Sequence, residues 1–172
     1  LLSMVMAEAT NHYFKHLGVS DGLSQVCIPS IYQDELGAVW LGTTEGLNRY
    51  NGKDVRVFQP SESNHGLTNN EINELCGDKN GRMYIRSGND LIKLDIYTEQ
   101  FTCLRQKGVY GLFCKKDTLW VSCADGIYYY TGQGTELTFF ARVQKGVVGR
   151  ALYVDRETVW VVTRKYLVAI SR

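Results

Sequence analysis

The sequence predicts an all-β fold. Three observations predict it. Four segments share one plan: "IYQDELGAVWLGTTEGLNRY", "LCGDKNGRMYIRSGNDLIKL", "LFCKKDTLWVSCADGIYYY" and "LYVDRETVWVVTRKYLVAI". Anchored on Trp40, Tyr84, Trp120 and Trp160, they recur at steps of 44, 36 and 40 residues. Each copy is made of short apolar runs rich in Val, Ile, Leu, Tyr, Phe and Trp, bounded by Gly, Asn and Asp turns, which is how strands read. No stretch sustains a helical period. About four antiparallel strands every 40 or so residues is the pattern of a β-propeller blade.

The elements follow in chain order. "LLSMVM" is apolar, and Ala7-Glu8-Ala9 after it matches the cleavage pattern of a secretory signal peptide, so residues 1–9 read as a signal remnant and 10–172 as propeller repeats. "HYFKHL", residues 12–17, reads as a lone strand that could clasp a final blade. Four blades follow at about 26–60, 71–105, 109–143 and 149–172, the first three adding a fourth run in "DVRVFQ", "QFTCLR" and "ELTFFAR".

The physics of a blade accounts for the residue types. Blades pack face to face, so a middle strand is buried on both sides and needs no polar alternation; "AVWLG", "LWVSC" and "TVWVV" fit that. Trp40, Tyr84, Trp120 and Trp160 are the expected structural anchors, each set between blades. The recurring Asp34, Asp78, Asp117 and Asp155 sit in hairpin turns, where a carboxylate accepts backbone N–H groups two residues on. Gly37 and Gly81 suit a left-handed turn position. Tyr166 stands where the first and third copies have Gly, so the fourth turn should differ.

These residues resemble a known family. "DELGAVWLGTTEGLNRYNG" is similar to the two-component regulator propeller repeat, with its D-x-x-G-x-x-W-x-G-T-x-x-G-L-x-x-Y pattern. "YFKHLGVSDGLSQ" resembles the segment that opens such regions. The later copies are degenerate: Arg86, Ser122 and Val162 replace the Gly of W-x-G. The resemblance implies a periplasmic or otherwise extracytoplasmic sensor region of a bacterial hybrid two-component kinase, part of a larger seven-bladed propeller. The membrane would then be met only through a downstream segment. Many sensors of that family recognise oligosaccharides.

Composition narrows the functions. Lys plus Arg number 19 against 18 Asp plus Glu, so the chain lacks the electrostatic footprint of a nucleic-acid binder. No apolar run approaches the roughly 20 residues of a membrane-spanning helix. Five cysteines form no C-x-x-C pair and read as buried free thiols. No G-x-S-x-G, H-E-x-x-H or phosphate-binding loop is present, and the Asp residues do not follow the calcium-loop spacing. No catalytic residue, metal or cofactor is expected.

A ligand site is expected from topology. In a propeller, the loops between blades and the turns between second and third strands gather on one face. Glu45, Asn64, His65, Asn89, Asp125 and Arg164 lie there and could hydrogen-bond sugar hydroxyls. The leading reading is a non-catalytic ligand-sensing module. A propeller-scaffold polysaccharide lyase or glycosidase, and a protein-interaction scaffold, are the alternatives. The four blades could close as a small ring or leave bare faces for another copy of the chain, and the resemblance favours bare faces.

Overall fold

The structure is a computed structural model, and it describes residues 15–61, 66–132, 134–143, 149 and 151–171. The strands fall into four antiparallel sheets in strict chain order. The first blade is β1 (Ser30–Gln33), β2 (Val39–Thr43), β3 (Gly46–Tyr50) and β4 (Val55–Phe58). The second is β5 (Ile72–Gly77), β6 (Arg82–Ser87), β7 (Asp90–Asp95) and β8 (Gln100–Arg105). The third is β9 (Val109–Lys115), β10 (Thr118–Cys123), β11 (Ile127–Tyr130) and β12 (Thr138–Ala141). The fourth sheet has three described strands, β13 (Ala151–Val154), β14 (Thr158–Val162) and β15 (Leu167–Ser171). The first strand of each blade neighbours the first strand of the next: β1 by β5, β5 by β9, β9 by β13. This is the blade architecture that the repeat plan predicts.

Three apolar layers join the four blades. Trp40, Leu47 and Phe58 pack on Leu75, Ile85, Ile92 and Leu94 between the first and second. Tyr84 and Leu91 meet Leu112, Leu119, Val121 and Tyr130 between the second and third. Trp120 and Ile127 meet Leu152, Val154, Val159 and Val161 between the third and fourth. Alternation along β2, β6 and β10 sends each central aromatic to the following blade. The rings then settle in offset and edge-on pairs: Trp40 with Phe58 at 5.6 Å, Tyr84 edge-on to Tyr130 at 6.0 Å, Trp120 edge-on to Phe140 at 5.0 Å.

The Asp turns do more than the sequence suggests. Asp34 Oδ1 accepts the N–H of Leu36 at 3.0 Å and of Ala38 at 2.9 Å, closing the β1–β2 hairpin. Its Oδ2 accepts the Trp40 indole N–H at 2.7 Å. Asp155 repeats this, with Glu157 and Thr158 on Oδ1 and the Trp160 indole on Oδ2 at 2.9 Å. In the second copy, where Tyr84 stands in place of Trp, no indole reaches the Asp, and Arg82 Nε forms an ion pair with Asp78 Oδ2 at 2.6 Å. Gly37 and Gly81 take the left-handed conformation with φ of 86° and 81°. Gly42, the Gly of W-x-G, has a different reason: a Cβ there would stand 2.9 Å from the Ile72 carbonyl oxygen of the next blade.

Several expectations need correction. Trp160 is half-buried, because its aromatic face is the outer face of the fourth blade, with Tyr153, Val162 and Leu167 beside it. Lys15, His16 and Leu17 are in no strand, and residues 12–14 lie outside the described residues, as does the signal-like stretch 1–9. The segment instead runs over the first blade. Lys15 Nζ donates to the Tyr50 hydroxyl at 2.8 Å, and Ser24 donates its N–H to the buried Asn48 at 2.9 Å. Side-chain hydrogen bonds to β3 replace the sheet pairing that a strand would need. Cys27 is exposed and outside any strand. The fourth turn keeps the hydroxyl of the first, since Thr163 Oγ1 accepts the N–H of Lys165 and Tyr166 as Thr43 Oγ1 accepts that of Glu45; it differs in the backbone, where Gly46 is left-handed with φ of 123° and Tyr166 is not.

Candidate functional site

The turns between second and third strands meet the connections between blades on one face. Gly46 N–H donates to the Asn70 carbonyl at 2.8 Å and Gly88 N–H to the Glu71 carbonyl at 2.7 Å. Val109 N–H donates to Asn89 at 3.0 Å, and Ala124 N–H to Gly108 at 2.8 Å. The first three of these turns are therefore tied by backbone bonds to the connections that enter the blades. Glu45, Asn89, Asp125 and Arg164 all occupy these tips and are exposed. Asn64 and His65 lie outside the described residues.

Asp125 is the best organised of the four. Its Oδ1 accepts Arg105 Nη2 at 2.9 Å and its Oδ2 accepts the Tyr128 hydroxyl at 2.7 Å. The Arg105 guanidinium lies 4.7 Å over the Tyr128 ring, and Phe139 meets that ring edge-on at 5.4 Å. Partial burial opposes the Asp125 charge, but the Tyr128 and Arg105 hydrogen bonds outweigh it and hold the carboxyl below the usual aspartate range. Beneath this group, burial pushes the Cys123 thiol up to about 12, so it is inert.

A second polar group spans the same seam, between the second and third blades. Arg86 Nε donates to Glu74 Oε2 at 3.3 Å, and Arg86 Nη1 donates to the Gly88 carbonyl at 3.1 Å. Glu74 Oε2 also accepts the Leu112 N–H of the third blade at 3.0 Å. Burial pushes the Glu74 carboxyl up, with Arg86 and the Leu112 N–H pulling the other way. Arg86 stands where the first repeat has Gly42, so the repeat's degeneracy here installs a charge under the loop face.

Arg105 and Glu74 were not singled out from sequence, and Arg86 stood out only as a replacement for a repeat glycine. Only the register brings them in: Arg105 pairs with Leu91 on β7, at the loop-face end of β8. Three consecutive tyrosines, Tyr128, Tyr129 and Tyr130, divide as packing demands. Tyr130 is buried on Tyr84, Tyr129 packs on Trp120, and Tyr128 alone reaches the polar face. Ser24 is hydrogen-bonded to Thr43 and Asn48. His16 is exposed, and His12 lies outside the described residues. Among the described residues, no group of three or more His, Cys, Asp or Glu could hold a metal. No helix among them is long and apolar enough to cross a membrane.

Stacked four-stranded sheets with a common polar loop face define a set of β-propeller blades. The two component regulator propeller family matches residues 22–45, so the chain carries a repeat of that family, as its first copy indicated. Histidine kinase P4 of Formosa agariphila is 38% identical over 53 residues, which is 31% of this chain and 4% of that protein. The extracellular domain of the hybrid two component system BT3049 from B. thetaiotaomicron superposes with a TM-score of 0.78 at 22% identity, over 91% of this chain and 25% of that one. The computationally designed Ika4 protein superposes with a TM-score of 0.63 at 14% identity, over 87% of this chain and 94% of its own. These structural likenesses are of fold. The chain spans a quarter or less of the natural relatives named here.

Proposed function

We propose that the chain is a non-catalytic ligand-sensing portion of an extracytoplasmic two-component sensor, with its loop face as the recognition surface for an oligosaccharide. The observation that carries this is the loop-face group of Asp125, Arg105 and Tyr128, flanked by the exposed tips Glu45, Asn89 and Arg164. A prepaired carboxylate and guanidinium beside an aromatic edge offers both acceptors and donors to hydroxyls without the cost of ordering them on binding. The repeat family and the extracellular neighbours support the sensor part of the reading.

Titration calorimetry of the purified chain against a panel of glycan-derived oligosaccharides tests it. Binding of one class, weakened at least tenfold by Asp125→Ala and by Arg105→Ala, is the expected result. Silence across the panel, or binding unmoved by both substitutions, would overturn the site.

A further inference from the structure

We propose that Cys76 and Cys114 form a disulfide that staples the second blade to the third. Cys76 lies on β5 and Cys114 on β9, the neighbouring first strands of successive blades. Their sulfurs are 2.6 Å apart. A disulfide bond is about 2.05 Å long, so the two sulfurs stand only about half an ångström beyond bonding distance. Both pack against the same apolar layer, around Tyr84 and Leu112.

The register is fixed by an independent contact. Two residues before each cysteine, Glu74 Oε2 accepts the Leu112 N–H across the same seam. Glu74 and Cys76 share one side of β5, so the bond that positions the carboxylate also positions the sulfur. The other thiols are placed elsewhere. Cys103 packs in the first interblade layer, Cys123 is on β10, and Cys27 is exposed near the start of the first blade. The structure thus picks one pair from five cysteines, where sequence alone gives no pairing.

The chemistry is thiol–disulfide exchange with a small-molecule disulfide. One cysteine thiolate attacks that disulfide, forming a mixed disulfide and releasing one thiol. The second cysteine thiolate attacks the mixed disulfide, forming the Cys76–Cys114 bond and releasing the second thiol. The two cysteines lose two protons and two electrons, and the reagent gains them as two thiols. Burial in the finished seam pushes the Cys76 thiol well up. A raised thiol leaves little thiolate in the folded seam, so exchange is slower there than in the unfolded chain. The bond closes a loop between residues 38 apart in sequence and restricts the unfolded chain. An extracytoplasmic location supplies an oxidising compartment, but the inference stands on the seam, and its test needs no ligand.

The full chain is unfolded in urea and refolded with oxidised and reduced glutathione, then labelled with a maleimide under denaturing conditions. Three labelled thiols in place of five are expected. A tryptic digest should contain residues 57–79 joined to 108–115, each of which holds one cysteine. The urea midpoint of the oxidised protein should lie above that of the same protein after dithiothreitol. The cross-link should vanish in Cys76→Ser and in Cys114→Ser and persist in Cys27→Ser and Cys103→Ser. Five free thiols after oxidative refolding, a cross-link between other peptides, or a cross-link that leaves the midpoint unmoved would each overturn the staple. The comparison of oxidised with reduced wild type holds even if a variant fails to fold.

Discussion

Trp40 gives its indole N–H to Asp34, and the same carboxylate closes the hairpin that leads into the tryptophan's own strand. Both side chains are buried. One acidic group therefore satisfies three donors and locks the largest side chain of the first interblade layer at a fixed depth. The D-x-x-G-x-x-W spacing is the sequence shadow of this contact, and the contact recurs at Asp155 and Trp160 although the turn there is one residue shorter.

Asp34→Ala leaves the indole and two hairpin N–H groups without their acceptor. Each orphaned buried donor costs about 1–3 kcal/mol, and partial rehydration of the turn moderates the sum. A loss of about 3 kcal/mol in urea unfolding is expected, with a smaller loss for Asp34→Asn, which keeps one oxygen. A loss under 1 kcal/mol for the Ala variant would mean that the contact is incidental to stability.

The two tryptophans of the later blades should not be equivalent. Trp120 is buried against Phe140 and Tyr129, and Trp120→Ala should cost about 3–5 kcal/mol through lost burial and the cavity left behind. Trp160 is half-buried on an outer face, so Trp160→Ala should cost clearly less. Equal losses in chemical denaturation would show that the outer face is covered in solution.

Strand positions were readable because a blade's middle strand is apolar throughout and its turns are marked by Asp and Gly. The polar tips at Glu45, Asn89, Asp125 and Arg164 were readable for the same reason, since turn order fixes the face they occupy. The partners of those tips were not. Arg105 reaches Asp125 across 20 residues of sequence, and nothing in its local pattern marks it. Lys15–Leu17, expected to end a strand, lies in none, because the segment is held instead by side-chain bonds of Lys15 and Ser24 to β3. Cys76 and Cys114 precede the Asp turns of adjacent copies, a hint that acquires meaning only when those copies are known to stack.

Glu74 gives the pH dependence a definite sign. Its folded value is raised, chiefly by burial, so the folded state holds the proton more tightly than the unfolded one. Its cost is absent below the ordinary glutamate range, grows as pH rises through the gap between the two values, and is full above the folded value. Asp95, Asp125 and Asp155 act oppositely: their lowered values add stability above the ordinary aspartate range, which is lost as pH falls through the folded values. Urea midpoints measured between pH 3 and 7 should fall at the acid end, and Glu74→Gln should gain on the wild type as pH rises from the ordinary glutamate range. Parallel wild-type and Glu74→Gln profiles would show that Glu74 is ordinary.

In the isolated 172-residue chain, the outer face of the fourth blade should draw a second copy. Tyr153 is 56% exposed and Leu167 64%, and with Trp160, Leu152 and Val162 they line an apolar cleft of about 380 Å³. On each inner blade the equivalent aromatic face is sealed by the next blade, so this face has the shape and chemistry that a blade covers. The opposite outer face, on the first blade, exposes Ile31 at 66% and Val57 at 38%, and residues 15–24 cover only part of it. Fourth-blade face against first-blade face is a head-to-tail contact, which closes into a ring if successive copies complete the circle of blades and otherwise repeats from copy to copy. Small-angle scattering on the 172-residue chain should therefore show an apparent mass that climbs with concentration. The double substitution Tyr153→Lys, Leu167→Lys should hold it at the monomer value, with the fold intact by circular dichroism. A wild-type chain that stays a compact monomer at every concentration would show that four blades tolerate bare ends in water.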